Sequence, residues 1–177
     1  KTQYDRLPQG RCRTVLSIHN LGYQGRFHFD FVSHLLGIES RYYHPDNIEY
    51  HGDANFLKGG IVYADKLVTV SPTYAREILT AHYGEGLEGI LATRADDLTG
   101  ILNGIDVTAF DPASDPFIPY PYDASSLSQK QKNKKALIAE LGLNLSPEAP
   151  LIGMVTRLTR QKGIDLVLRV FEEIIAA

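Results

Sequence analysis

The densest group of residues able to do chemistry lies late in the chain, in APLIGMVTRLTRQKGIDLVLR, residues 149–169. Thr156 to Lys162 places three cations, Arg157, Arg160 and Lys162, in seven residues. Just beyond, Ile164, Val167, Leu168 and Phe171 recur at i, i+3, i+4 and i+7, the spacing of one helix face. Gly163 permits a tight turn between loop and helix. A helix N-terminus presents unpaired N–H groups and about half a positive charge. Cations added there suit a multiply charged anion such as a diphosphate. The same pattern fits a solvated basic connection, because Arg and Lys are common at surfaces. His19 ends the β-branched and apolar run RTVLSIH and opens the Gly-bounded loop NLGYQG, residues 20–25. A neutral imidazole can donate and accept hydrogen bonds to sugar hydroxyls, or it can simply bond nearby backbone. Asn103-Gly104 can hold a hydroxyl through its amide or can be a plain turn.

These positions require a scaffold of alternating strands and helices. Strands are expected near Arg13–Ile18, Lys66–Val70 and Thr99–Leu102 in one parallel sheet, with Leu151–Val155 in a second. Asn55–Ala64 reads as a helix, and its paired Gly59-Gly60 requires close packing to be tolerated. Ser71-Pro72 reads as N-cap and first helical residue of a helix running to Thr80. Gly84–Ile90 reads as a loop with a short helix, and the aromatic and histidine-rich Arg26–Tyr50 as short helices and loops. Four prolines, Pro112, Pro116, Pro119 and Pro121, mark a crossing segment. Lys132–Leu141 then reads as a helix closed by Gly142. The class is α/β, in which ligands bind beyond the carboxyl ends of the strands. Those ends carry His19-Asn20, Ser71, Asn103 and Thr156-Arg157.

Composition bounds the function. The chain has 177 residues, 44% hydrophobic and 22% charged, as in ordinary globular proteins. A net charge of −3 gives no global reason to expect nucleic acid or an anionic membrane, so any cationic site is local. No apolar run approaches the ~20 residues of a membrane-spanning helix. Cys12 is the single cysteine, which excludes an intrachain disulfide and a Cys-based zinc site. His28, His34, His44, His51 and His82 lack metal-ligand spacing such as HExxH. Lys58-Gly59-Gly60 lacks the rest of a phosphate loop, and the lysines between Lys130 and Lys135 fit a solvated helix face. Tyr120 and Tyr122 fit packing of the crossing segment. The start at Lys1 and the end within an apolar helix are those expected of a piece of a longer protein.

Four stretches resemble a known family in order and spacing: SIHNLGYQG (Ser17–Gly25), NFLKGGIVYADKLVTVSPTYAREI (Asn55–Ile78), GILNGID (Gly100–Asp106) and RLTRQKGIDL (Arg157–Leu166). They resemble the glycogen and starch synthases over nearly the whole chain. RLxxQKG alone fits a wider set of glycosyltransferases, and the other stretches narrow it. The resemblance implies two Rossmann-like domains of a GT-B glycosyltransferase, both incomplete here. It places the latter part of the first domain in residues 1–108, a crossover in 109–131 and the start of the nucleotide-sugar-binding domain in 132–177.

The implied reaction is transfer of glucose from ADP-glucose, or UDP-glucose in some members, to the non-reducing 4-hydroxyl of an α-1,4-glucan with retention. Arg157 and Lys162 would hold the diphosphate and stabilise it as it leaves, His19 would contact the glucosyl unit, and Asn103 a sugar hydroxyl. Tyr23 and Gln24 are further sugar-contact candidates. With cations in this role no metal cofactor is required, and neither nucleic acid nor membrane is an expected partner. The family's KTGGL, EPCGL and STGGL stretches are absent from these residues, so the chain by itself is expected to be inactive. The implied compartment is the bacterial cytoplasm, or a plastid for a plant or algal source. Two alternatives remain at this level: a sucrose-phosphate synthase-like enzyme of the same architecture, and a non-catalytic glucan-binding relative.

Overall fold

The computed structural model describes residues 12–146 and 148–176. It divides between Gly104 and Ile105 into two compact units. In the first unit the order is β1 (Val15–Ile18), β2 (Arg26–His28), α1 (Phe29–Leu36), β3 (Glu49–Tyr50), β4 (Asp53–Asn55), α2 (Phe56–Tyr63), β5 (Lys66–Thr69), α3 (Pro72–Glu77), α4 (Glu88–Thr93) and β6 (Leu98–Gly100).

β1, β5 and β6 form a parallel sheet with β5 in the middle. These are the three strands expected to share one sheet. Residues Ile18 and Leu67 from its strands are buried with Leu21, Ile61, Ile78, Leu87 and Leu91 in one apolar cluster. Burial of this kind stabilises by roughly 25 cal/mol per Å² of apolar surface, which is why the loops at the strand ends rest on a firm base. Helix α2 closes on the sheet through its two glycines. A Cβ on Gly60 would stand 3.1 Å from the Leu16 methyl carbons, and one on Gly59 would stand 2.9 Å from Ile48 Cγ2. The close packing that the glycine pair requires is therefore present. Asn55 caps α2, its side-chain oxygen accepting the Lys58 N–H at 2.9 Å. Ser71 caps α3 in the same way from Tyr74 N–H, with Pro72 at the first helical position.

Arg26–Tyr50 departs from expectation. Besides α1 and a 3₁₀ turn at Ser40–Tyr42, it contributes two strands of a small antiparallel sheet, in the order β2-β4-β3. Strands of two or three residues are too short to show a period-two pattern. A two-residue turn joins β3 to β4, with His51 and Gly52 both at positive φ, 52° and 85°. That is the backbone a tight hairpin demands.

Arg94 ties the end of α2 to the edge of the sheet. Its guanidinium donates to the carbonyls of Ile61 (2.6 Å), Val62 (3.2 Å) and Ala64 (2.8 Å), and to Asp97 Oδ2 (3.0 Å). Lys66 Nζ donates to the other Asp97 oxygen at 2.7 Å, and these two cations hold the Asp97 carboxyl below its ordinary pKa. Helix C-termini leave carbonyls without partners, and a planar fork of donors satisfies several at once. Arg94→Ala is expected to destabilise the chain by about 2–4 kcal/mol, with Arg94→Lys restoring only part. A thermal melt of the three proteins checks this, and equal midpoints would remove the cap from the account.

The second unit holds α5 (Ser128–Glu140) and α6 (Ile164–Ala176). Leu141-Gly142 ends α5 as expected, with Gly142 at φ 62°. Leu151–Val155, expected as a strand, carries no ladder hydrogen bonds, and Ile152 to Val155 are exposed. Among the described residues after β6 there is no strand to pair with it. An apolar run makes a strand only when a neighbour completes its ladder.

Candidate functional site

Three of the candidate positions follow parallel strands and so share the carboxyl edge of one sheet. His19 follows β1, Ser71 lies beyond β5, and Asn103 lies beyond β6. The edge is pinned from beneath. The buried Thr69 hydroxyl donates to the Ile18 carbonyl at 2.8 Å, and Ile101 N–H donates to the Thr69 carbonyl at 2.8 Å. Thr69 is a positioning residue that the sequence offered no signal for beyond its place at a strand end. His19 itself is exposed, with Nε2 3.1 Å from Ser17 Oγ. Asn103 is exposed in the loop after β6.

The loop after His19 is folded by its own residues. Asn20 Oδ1 accepts Gly22 N–H at 2.8 Å, and Leu21 is fully buried, so the loop turns over an apolar anchor. Gln24 is committed to the fold on both sides of its amide. Its oxygen accepts from Asn55 Nδ2 at 2.7 Å, and its nitrogen donates to the Glu85 carbonyl at 2.9 Å. Gln24 and Gly25 carbonyls also accept the first N–H groups of α2, from Leu57 and Phe56. Gln24 thus holds the loop in place, while Tyr23 projects with 69% of its surface exposed.

The remaining candidates, Arg157 and Lys162, belong to the second unit. Thr159 N–H donates to the Arg157 carbonyl at 2.8 Å, and Lys162 N–H to the Thr159 carbonyl at 2.9 Å. These bonds curl the basic loop, through a 3₁₀ turn at Arg160–Lys162, into Gly163 at φ 73° and directly into α6. The Gly163 carbonyl accepts from Leu166 and Val167, which marks the first turn. Arg157 and Lys162 are both exposed, and among the described residues neither side chain has a hydrogen-bonded or ionic partner. Two cations left uncommitted at the start of a helix can receive an anion without first breaking an internal pair. Among the described residues no three His, Cys, Asp or Glu side chains are grouped to hold a metal ion. No helix among them is long and apolar enough to cross a membrane.

Residues 1–93 match the model of the starch synthase catalytic domain. The chain belongs to this family. The glycogen synthase of Bacillus subtilis is 49% identical over 176 residues, which is 99% of this chain and 36% of that protein. The glycogen synthase of Aromatoleum aromaticum is 50% identical over 167 residues, 94% of this chain and 34% of its own length. Among solved structures, the catalytic domain of starch synthase IV from Arabidopsis thaliana, bound to ADP and acarbose, superposes with a TM-score of 0.84 at 35% identity. That match covers 93% of this chain and 34% of the other. The chain therefore spans about a third of the length of these starch and glycogen synthases. Its parallel α/β core is that of their GT-B catalytic domain.

Proposed function

We propose that this chain carries part of the active site of a retaining glucosyltransferase that extends an α-1,4-glucan from ADP-glucose. The carrying observation is the pair Arg157 and Lys162, without a side-chain partner among the described residues at the start of α6, in a member of the starch synthase catalytic-domain family. Breaking the bond between glucose and a nucleoside diphosphate builds negative charge on the departing phosphate. Fixed cations and helix N–H groups aimed at that charge lower the barrier more than they stabilise the bound donor. In this reading Arg157 and Lys162 receive the diphosphate, and no metal is needed for that task. His19 hydrogen-bonds the glucosyl unit at the carboxyl edge of the first sheet, where Asn103 offers an amide to a hydroxyl. Residues 1–108 then contribute to the acceptor domain and 132–177 to the nucleotide-sugar domain.

ADP in the Arabidopsis starch synthase supports an adenine nucleotide over a uridine one, and acarbose there supports an α-glucan partner. The bacterial glycogen synthase relatives support a cytoplasmic rather than a plastid setting, and disfavour a sucrose-phosphate synthase-like activity.

His19→Ala in the full-length polypeptide is expected to lower glucosyl transfer about tenfold or more while leaving the melting temperature within a degree or two. The residue is exposed, so its loss removes a substrate contact and little packing. Unchanged turnover in a folded variant would make His19 a structural residue.

A further inference from the structure

Asn55 is fully buried at the end of β4, and both ends of its amide are engaged. Its oxygen accepts the Lys58 N–H at 2.9 Å, and its nitrogen donates to Gln24 Oε1 at 2.7 Å. Gln24 Nε2 in turn donates to the Glu85 carbonyl at 2.9 Å. Two side-chain amides therefore run in series from the first turn of α2 to the turn before α4.

Backbone groups fix the direction of this series at both ends. The Lys58 N–H can only donate, and the Glu85 carbonyl can only accept. Turning either amide over would set donor against donor on one side and acceptor against acceptor on the other. Each amide thus has one allowed orientation, and the two bonds support each other. The ends are themselves anchored. Lys58 is buried, and its Nζ donates to the carbonyls of Pro45 and Glu49, which ties α2 to the segment around β3. Glu85 is left-handed at φ 51° and leads through Gly86, at 79°, into the buried Leu87. A left-handed glutamate persists only where its surroundings hold it, and the bond from Gln24 is one such hold.

The series passes through the loop that begins at His19. The near end of that loop rests on Leu21, fully buried, whose N–H donates to the Tyr74 hydroxyl at 3.4 Å. The far end rests on Gln24, whose side chain Asn55 orients and whose carbonyl accepts the Leu57 N–H at 3.0 Å. A loop held at both ends keeps its residues in one place on the carboxyl edge of the sheet. Placement matters there, because a shift of about 1 Å can cost roughly a hundredfold in rate.

We propose that Asn55 is a positioning residue for glucosyl transfer, acting through Gln24 on the loop that begins at His19. Being enclosed, Asn55 touches no substrate in this role. The assignment rests on the glucosyltransferase reading above and extends it to a residue one layer beneath the site.

The test uses the full-length polypeptide. Asn55→Ser keeps an oxygen for the α2 cap and loses the amide nitrogen. Its kcat is expected to fall about tenfold, with the KM for ADP-glucose within about twofold of the parent, because Arg157 and Lys162 still hold the diphosphate. Asn55→Ser combined with Gln24→Ala is expected to be no slower than Gln24→Ala alone. Arg94→Ala, which destabilises the far end of α2, is expected to keep the parental kcat when assayed well below its melting temperature. Amide hydrogen exchange without substrate reads the loop directly. Gly22–Gly25 and Glu85–Leu87 are expected to exchange about tenfold faster in Asn55→Ser, with β5 unchanged. Parental kcat in Asn55→Ser, multiplied losses in the double variant, an equal loss of kcat in Arg94→Ala, or parental exchange in the loop would each overturn the assignment. Faster loop exchange in a polypeptide that transfers no glucose, parent included, would uphold the hold of Asn55 on the loop and sink the enzymatic reading instead.

Discussion

Alanine at Arg157 or at Lys162 is expected to lower kcat/KM for the nucleotide-sugar donor by roughly tenfold to a few hundredfold. A charge-assisted hydrogen bond to phosphate is worth about 1.5–3 kcal/mol in a partly desolvated site. Part of that energy is realised only as the diphosphate gains charge, so kcat falls along with donor affinity. Both side chains are exposed and unpaired among the described residues, so removing either should leave the melting temperature nearly unchanged. Steady-state kinetics on the two variants beside Arg160→Ala reads the specificity of the loop. If Arg160→Ala proved equally damaging, the loop would act as a diffuse positive field and the two-residue clamp would be wrong.

Gly100→Ala is the substitution expected to damage the fold most. Gly100 ends β6 where the start of α3 crosses it. A Cβ there would stand 2.1 Å from the Ser71 carbonyl oxygen and 2.5 Å from the Pro72 Cα. Both are backbone atoms, so no rotamer change relieves the clash. One strand end or one helix start must move. Overpacking of this kind costs about 1–3 kcal/mol and more where backbone must shift, which is roughly 5–20 °C in melting temperature for a domain of this size. The damage also reaches the site, because β6 delivers Asn103 to the carboxyl edge. Gly89→Ala is the matched control. Gly89 lies inside α4 with nothing within 4 Å of an added Cβ, so alanine there should stabilise by about 0.5–1 kcal/mol. Equal melting temperatures for the two variants would show that α3 and β6 are less tightly apposed than described.

What could be read from the sequence had a local signature. β1, β5 and β6 are short apolar runs, and the caps of α2 and α3 are Asn and Ser-Pro at their ordinary positions. The glycine pair in α2 announced a close contact, and Leu16 and Ile48 supply it. The loop from Arg157 to Lys162 does run into a helix at Ile164.

What could not be read depends on residues distant in sequence. Arg94 stands in a short charged stretch, RADD, with no local motif, and its guanidinium reaches back some thirty residues to cap α2. Gln24, Asn55 and Glu85 meet only because a small antiparallel sheet and a strained turn carry them together. Gly100 looks like an incidental residue until the helix crossing it is seen. Leu151–Val155 fails in the opposite sense. Its composition is that of a strand, but strand formation is a property of the pair, and no partner is present among the described residues.

The most direct test of the central claim is glucose incorporation by the full-length polypeptide. Radiolabelled ADP-glucose and glycogen are incubated with it, and the product is digested with β-amylase, which releases maltose from non-reducing α-1,4 ends. Label recovered in maltose, at a higher rate from ADP-glucose than from UDP-glucose, is the predicted result. A folded polypeptide that incorporates label from neither donor, or that yields product resistant to the amylase, would contradict it.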